Sequence, residues 1–350
     1  MSQKLEDLAW LTDSGASDGI ILSTRIRLAR NLEGHPFPNR ADLPWLEAVL
    51  GRVSSALKAE GPRLGLRLMR LDKLNELQHH LLLERHLVSP ALLAHFQARA
   101  LGFRNDGTLS VMVNEEDHLR IQALLPGSAF EEAWRLVDQA DNRLECHLDY
   151  AFDDRLGYLT TCATNVGTGL RASAMLHLPA LNWDVWKTGA MQRIVGQIAQ
   201  MGLTVRGLYG EGTQASGNLF QISNQVTLGS SEEEIVGRVQ MVTEQLVSYE
   251  LKAREELRQH LGALLEDRAW RSLGVARHAR LMTTAEALEH LSMVRLGIEL
   301  WILPPVSRTV LNRLIVAIRP ANLQEEVGRP LEAHERDTAR AALLRQQLGG

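Results

Sequence analysis

From Ser230 to the carboxyl end the chain carries only helical signals, whereas the residues before it alternate short strand-like apolar runs with amphipathic helical spacing. That switch divides the chain into a mixed part and a helical part. Ser230 or Ser231 with Glu233 or Glu234 forms a capping box, and Ile235, Val239, Val242, Leu246 and Tyr249 hold one apolar stripe, so a long helix bridges the two. Beyond about residue 260 the spacing predicts helices over 264–278, 284–302, 308–318 and 331–348, broken by Pro304-Pro305 and Pro320. The boundary falls between a domain over 1–255 and a small all-helical one over 256–350.

Within the mixed part, residues 20–30 read IILSTRIRLAR, and as a strand they place Ser23, Arg25 and Arg27 on one face. On a sheet lining a cleft these arginines form a fork for phosphates; on an edge strand they are merely solvated. Helical spacing covers 42–60, 72–84 and 130–141, and Ser89-Pro90 reads as the N-cap and first position of a helix over 91–100. A strand over 107–113 runs into NEEDHLR, where Glu115, Glu116 and Asp117 are held at a sheet end, with Arg120 just beyond. Further strands are expected over 158–161 and 172–178, a helix over 185–200, and a strand over 203–208. The last ends in a glycine-rich loop carrying Arg206 and Glu211, followed by a strand pair within 218–228.

The segment YLTTCATNVGTGLR, residues 158–171, joins a strand to a loop in which Gly167 and Gly169 let the backbone approach a ligand. Cys162 there is a thiolate nucleophile, a charge partner for a cationic substrate, or a small core residue. Arg171 offers a planar fork or lies solvated on the surface. With net charge −4 the chain has no bulk attraction to nucleic acid or anionic membrane, which excludes functions resting on such contact. Cys146 and Cys162 supply neither a disulfide framework nor metal-ligand spacing, the start lacks a signal peptide, and no apolar run is long enough to span a bilayer. A cytoplasmic protein is expected.

Arg25, Arg27, Arg120, Arg171 and Arg206 each lie beside a strand end, and fixed positive charge is what phosphoryl transfer requires. There is no P-loop and no kinase-type glycine loop. In order and spacing the segments STRIR, NEEDHLR, TCATNVGTGLR and RGLYGEGT resemble the phosphagen (guanidino) kinase family over roughly residues 20–230. The resemblance implies an α+β fold whose catalytic domain is an antiparallel sheet surrounded by helices, acting with ATP and Mg²⁺. It assigns the nucleotide to Ser23, Arg25, Arg27, His80, Arg120, Arg171 and Arg206. Glu116 becomes the base, Glu211 a second substrate-facing acid, and Cys162 the rest of a clamp on the guanidinium, with Thr164 and Asn165 beside it. Glu115 is assigned to magnesium through a bound water.

Within the family the chain most resembles the bacterial kinases that phosphorylate arginine in proteins. Only a short stretch precedes Ser23, in place of the helical domain that covers small substrates, and RDTARA matches the pattern thought to read phosphoarginine through Arg336, Asp337 and Arg340. That resemblance implies arginine-containing protein substrates, a homodimer, a Clp chaperone-protease and a zinc-containing activator protein. A kinase of free guanidino compounds and a non-catalytic phosphoarginine-binding adaptor are the alternatives.

Overall fold

The structure is a computed structural model that describes residues 4–13, 19–183, 190–207 and 216–349. Ten strands occur among them: β1 (Ile21–Arg30), β2 (Arg67–Arg70), β3 (Ala100–Phe103), β4 (Leu109–Val113), β5 (Leu119–Pro126), β6 (Phe152–Asp153), β7 (Gly157–Tyr158), β8 (Leu170–His177), β9 (Leu203–Gly207) and β10 (Leu219–Asn224). Eight form one sheet in the order β2-β3-β4-β5-β1-β8-β10-β9, antiparallel throughout, and β6 with β7 makes a separate hairpin. The helices are α1 (Leu43–Leu64), α2 (Glu76–Glu84), α3 (Pro90–Ala94), α4 (Phe130–Glu145), α5 (Ala190–Gln200), α6 (Glu232–His278), α7 (Thr284–Glu299), α8 (Arg308–Ala317), α9 (Pro320–Val327) and α10 (Ala333–Leu348). The α+β architecture expected from the resemblance is what the structure has.

Strand alternation gives the sheet two unlike faces. Ile26, Leu28, Ile121, Ala123, Ala172, Ala174 and Ile222 are buried in the main core, against helices that include α4 and α6. Arg25 and Arg27 take the opposite face, as the sequence pattern requires. α1 starts where the Asp42 carboxylate accepts from the Trp45 amide, and ends at Gly65 with φ 68°. α6 starts on the Ser231–Glu234 capping box and buries Ile235, Val239, Val242 and Leu246; it runs past residue 256 and breaks helical geometry at Leu261. Its second half joins α7, α8 and α10 in another core, which reaches Leu22, Met175 and Leu219 of the sheet. The helical region is thus packed onto the sheet. Among the described residues no helix is long and apolar enough to cross a membrane.

Several elements differ from the sequence expectation. α3 stops at Ala94, and Ala100 already belongs to β3. Of the expected strand over 158–161 only Tyr158 is in a ladder, paired with Phe152, and a short helical turn over Ala163–Asn165 follows. The expected strand pair within 218–228 is one strand. The Asn224 side chain accepts from the Ala172 amide at 2.9 Å and donates to the Leu170 carbonyl at 3.0 Å, closing the ladder where β10 ends. Pro320 opens α9 instead of merely breaking a helix, since a first helical position needs no amide donor.

Candidate active site

The pairing register assembles a cationic surface. Arg27 lies across from Arg171 on β8 and from Gln122 on β5, Arg25 lies across from Ser173, and Arg206 on β9 lies across from Gln221. Like charges directly opposite one another are unfavourable in a sheet, so this arrangement invites a polyanion. Arg25 donates to Gln221 at 2.9 Å and Arg171 to Ser223 at 3.1 Å. The Nε of Arg27 is buried with no hydrogen-bond acceptor. Burial, reinforced by Arg120 and Arg171, pushes the Arg25 pKa down to about 10. Burial and the neighbouring arginines push Arg27 down further, with Glu115 opposing. A guanidinium keeps its proton, so the crowding appears as positive potential. All five arginines line one cavity of about 760 Å³, of the size that takes a small-molecule ligand.

Two expected nucleotide residues do not line that cavity. His80 is exposed on α2, whose buried positions are His79, Leu81 and Leu82, so the helical period turns it to solvent. His86, just beyond the helix end, lines the cavity instead. Its backbone is held at φ 60°, its carbonyl accepts from Gln122 at 2.9 Å, and its ring stands edge-on to Trp10. Burial, together with Arg319 and Arg25, pushes its pKa well below the ordinary imidazole range and keeps the ring neutral. Sequence reasoning missed His86 because its left-handed backbone follows from the turn after α2. Ser23 borders a smaller adjoining space with Arg25, His86 and Gln221.

The acids lie in the tight connection between β4 and β5. Asn114, at φ 58°, donates from its side chain to the Leu46 and Ala98 carbonyls and fixes the entry to the turn. The buried Glu115 carboxylate accepts from Arg120 at 2.6 Å, from the Ser89 hydroxyl, and from the Glu116 amide at 3.0 Å. With so many donors on it, Glu115 suits contact with a metal through water better than direct ligation. Among the described residues no group of three or more acids, histidines and cysteines is placed to hold a metal ion.

Glu116 is partly exposed, with its carboxylate 3.9 Å from Arg120. Burial raises its pKa, Arg120 opposes, and Asp117 and Glu115 add to the rise. Asp117 joins this turn to the cysteine loop: its Oδ1 accepts from Asn31 and from the Thr161 amide, both at 2.7 Å. Thr161 in turn donates its hydroxyl to the Glu116 carbonyl at 2.8 Å. Cys162 follows directly, with Sγ 3.1 Å from the Thr164 hydroxyl, in a short turn over Ala163–Asn165. The structure therefore fastens the Glu116 and Cys162 loops together. Glu211 lies outside the described residues.

Of the residues 336, 337 and 340 on α10, the first two are half-buried and the third is fully buried. Arg340 is buried, donating to the Ile318 and Met282 carbonyls, each at 2.7 Å, and to Asp337 at 2.6 Å. Arg336 donates to the Leu331 carbonyl at 2.7 Å.

Residues 48–253 match the family model described as ATP:guanido phosphotransferase, C-terminal catalytic domain, more than half of the chain. The chain belongs to the ATP:guanido phosphotransferase family. Residues 262–350 match a second model, the protein-arginine kinase McsB C-terminal domain. Curated relatives of this family member include the protein-arginine kinase of Moorella thermoacetica, 48% identical with all of both chains covered, and that of Brevibacillus brevis, 46% identical over 97% of this chain and 94% of the relative. Among solved phosphotransferases of similar fold, lombricine kinase is 23% identical over 71% of this chain and 70% of its own, with TM-score 0.59. The duplicated taurocyamine kinase from Schistosoma mansoni with bound transition state analog components is 25% identical over 73% of this chain and 36% of its own, with TM-score 0.62.

Proposed function

We propose that this phosphotransferase is a protein arginine kinase, moving the γ-phosphoryl group of ATP to an arginine side chain of a protein. The full-length likeness to protein-arginine kinases supports it most directly. The arginine face binds the triphosphate, with Arg25, Arg27, Arg120, Arg171 and Arg206 as its cations, Ser23 beside them and His86 in the place expected of His80. Glu115 would hold Mg²⁺ through a bound water, and the ion would neutralise charge on the phosphates. The acceptor arginine arrives protonated. Glu116 orients its guanidinium and accepts a proton as a nitrogen bonds to the γ-phosphorus and the bond to the ADP oxygen breaks. A carboxylate with a raised pKa suits that task better than an ordinary one. Cys162 and Thr164, with Asn165 in the same turn and Glu211, hold the remaining nitrogens.

The enzyme works in the cytoplasm as a homodimer, marking proteins for a Clp protease under stress, with a zinc-containing activator as a further partner. Arg336 and Asp337 sense phosphoarginine on α10, and Arg340 joins them only if its bonds to Ile318 and Met282 open.

The test is transfer of label from γ-labelled ATP to casein, compared with free arginine. Acid-labile label on casein is expected, with Glu116→Gln lowering turnover by about 10²–10⁴-fold while nucleotide binding persists. Label confined to free arginine would make it a small-guanidino kinase. No label on either, with phosphoarginine still bound, would make it an adaptor.

A further inference from the structure

The cavity that holds the sheet arginines has a wall that the sheet does not supply. Thr284, Ala285 and Leu288 of α7, with Arg319 and Pro320 at the start of α9, line it alongside Arg25, Arg27, Arg120, Arg171 and Arg206. We propose that the helical region is part of the nucleotide site, with Arg319 contacting the bound nucleotide and Arg340 acting as a positioning residue for this wall. The proposal rests on the reading of the cavity as the nucleotide site.

Arg319 is almost buried and donates from Nε to the Ile315 carbonyl at 3.2 Å, which fixes its stem. Its charge acts on His86 together with that of Arg25, so the helical and sheet cations meet at one group inside the cavity. A polyanion entering there gains from both. Leu288 and Pro320, with Leu83, Val88 and Met112, give the same cavity an apolar side suited to a base.

The wall is held from two directions. From the catalytic part, Glu84 accepts from the Ala321 and Asn322 amides at 2.9 and 3.0 Å and from the Asn322 side chain at 2.8 Å. Buried Arg85 adds a bond from Nε to Asn322 at 3.1 Å and another to Glu325. From α10, the Arg340 guanidinium binds the carbonyl of Ile318, next to Arg319, and that of Met282, two residues before Thr284. One side chain therefore sets both segments that reach the cavity. Occupancy of the cavity and packing of α7, α9 and α10 are then linked, and linkage is reciprocal.

The experiment is calorimetric titration of ADP with Mg²⁺ into the full-length protein and into Arg319→Gln, Arg340→Lys and Arg171→Ala. A hydrogen bond to a charged group predicts a loss of about tenfold to a hundredfold in ADP affinity for Arg319→Gln. Arg340→Lys should raise KM for ATP more than it lowers kcat, which a purely structural role would not do. Wild-type ADP affinity in Arg319→Gln, beside weak binding in Arg171→Ala, would overturn the helical wall and leave the nucleotide reading standing. Unchanged affinity in both would remove the nucleotide reading, and the wall with it. If Arg319→Gln does not fold, amide exchange of the wild type decides: slowing at 284–288 and 319–322 on adding ADP with Mg²⁺ supports the wall, and no change there overturns it.

Discussion

Arg27 and Arg30 stand on the same strand and differ in what they face. Arg30 donates from Nε and Nη2 to Asp141 at 3.0 and 2.6 Å, from Nη1 to the Ala29 and Thr168 carbonyls, and lies 3.5 Å over the Tyr158 ring. Arg27 stands opposite Arg171, and burial, with Arg25, Arg120 and Arg171 adding to it, depresses its pKa. The period-two backbone sends the two side chains to opposite faces. Arg30 has its anion inside the fold, whereas Arg27 lies across from another cation. Two histidines repeat the contrast. His118 accepts the Leu32 amide on Nδ1 and donates from Nε2 to the Pro36 carbonyl, while His86 sits in the cavity among cations.

Arg30→Met gives the largest break in the comparison. Removing one partner of a buried ion pair leaves Asp141 uncompensated, and a loss of about 3–5 kcal/mol in urea unfolding is expected. Adding Asp141→Leu should restore most of it. A loss as large in Arg27→Met would show that the two arginines play the same part.

The histidine contrast gives the next effect. Burial, with His35 adding to it, depresses His118 to about 4, below the ordinary value, so the folded chain binds a proton less readily than the unfolded chain. Its contribution is complete above the unfolded value of about 6.5 and is lost as pH falls through the folded one, about 3 kcal/mol in all. Unfolding midpoints between pH 7 and 4 should therefore fall more steeply for the wild type than for His118→Gln, which keeps an acceptor and a donor but cannot titrate. Equal slopes would assign the acid sensitivity to other groups.

The contrast also marks how far the sequence could be read. Local patterns carried β1, α4, α6 and α10, because alternation, helical spacing and the Ser231 capping box act within a few residues. The cationic face was legible for the same reason. His86 was not, since its place depends on where α2 ends and on a left-handed turn that no periodicity announces. Arg340 shows a different limit. RDTARA reads alike on an open helix and a buried one, and the acceptors that decide between them are backbone carbonyls at Met282 and Ile318, remote in the sequence. The helical wall of the cavity was invisible because Thr284 and Arg319 meet the sheet arginines only through tertiary packing.

Arg27→Met is the smallest change expected in stability and the most direct test of the cleft side of the comparison. The substitution removes a cation that faces Arg171 and whose Nε has no acceptor, so stability should hold or rise slightly. Methionine also fills much of the space left by the arginine stem, which limits any loss from packing. Nucleotide binding should move the other way. A charge-assisted contact to phosphate is worth about 1.5–3 kcal/mol, or roughly tenfold to a hundredfold in affinity for ADP with Mg²⁺. Unfolding and calorimetric titration of the same preparation check both. A more stable protein that binds ADP less tightly identifies Arg27 as a group whose partner is the ligand. A less stable protein that binds ADP as the wild type does would mean that Arg27, like Arg30, serves the fold.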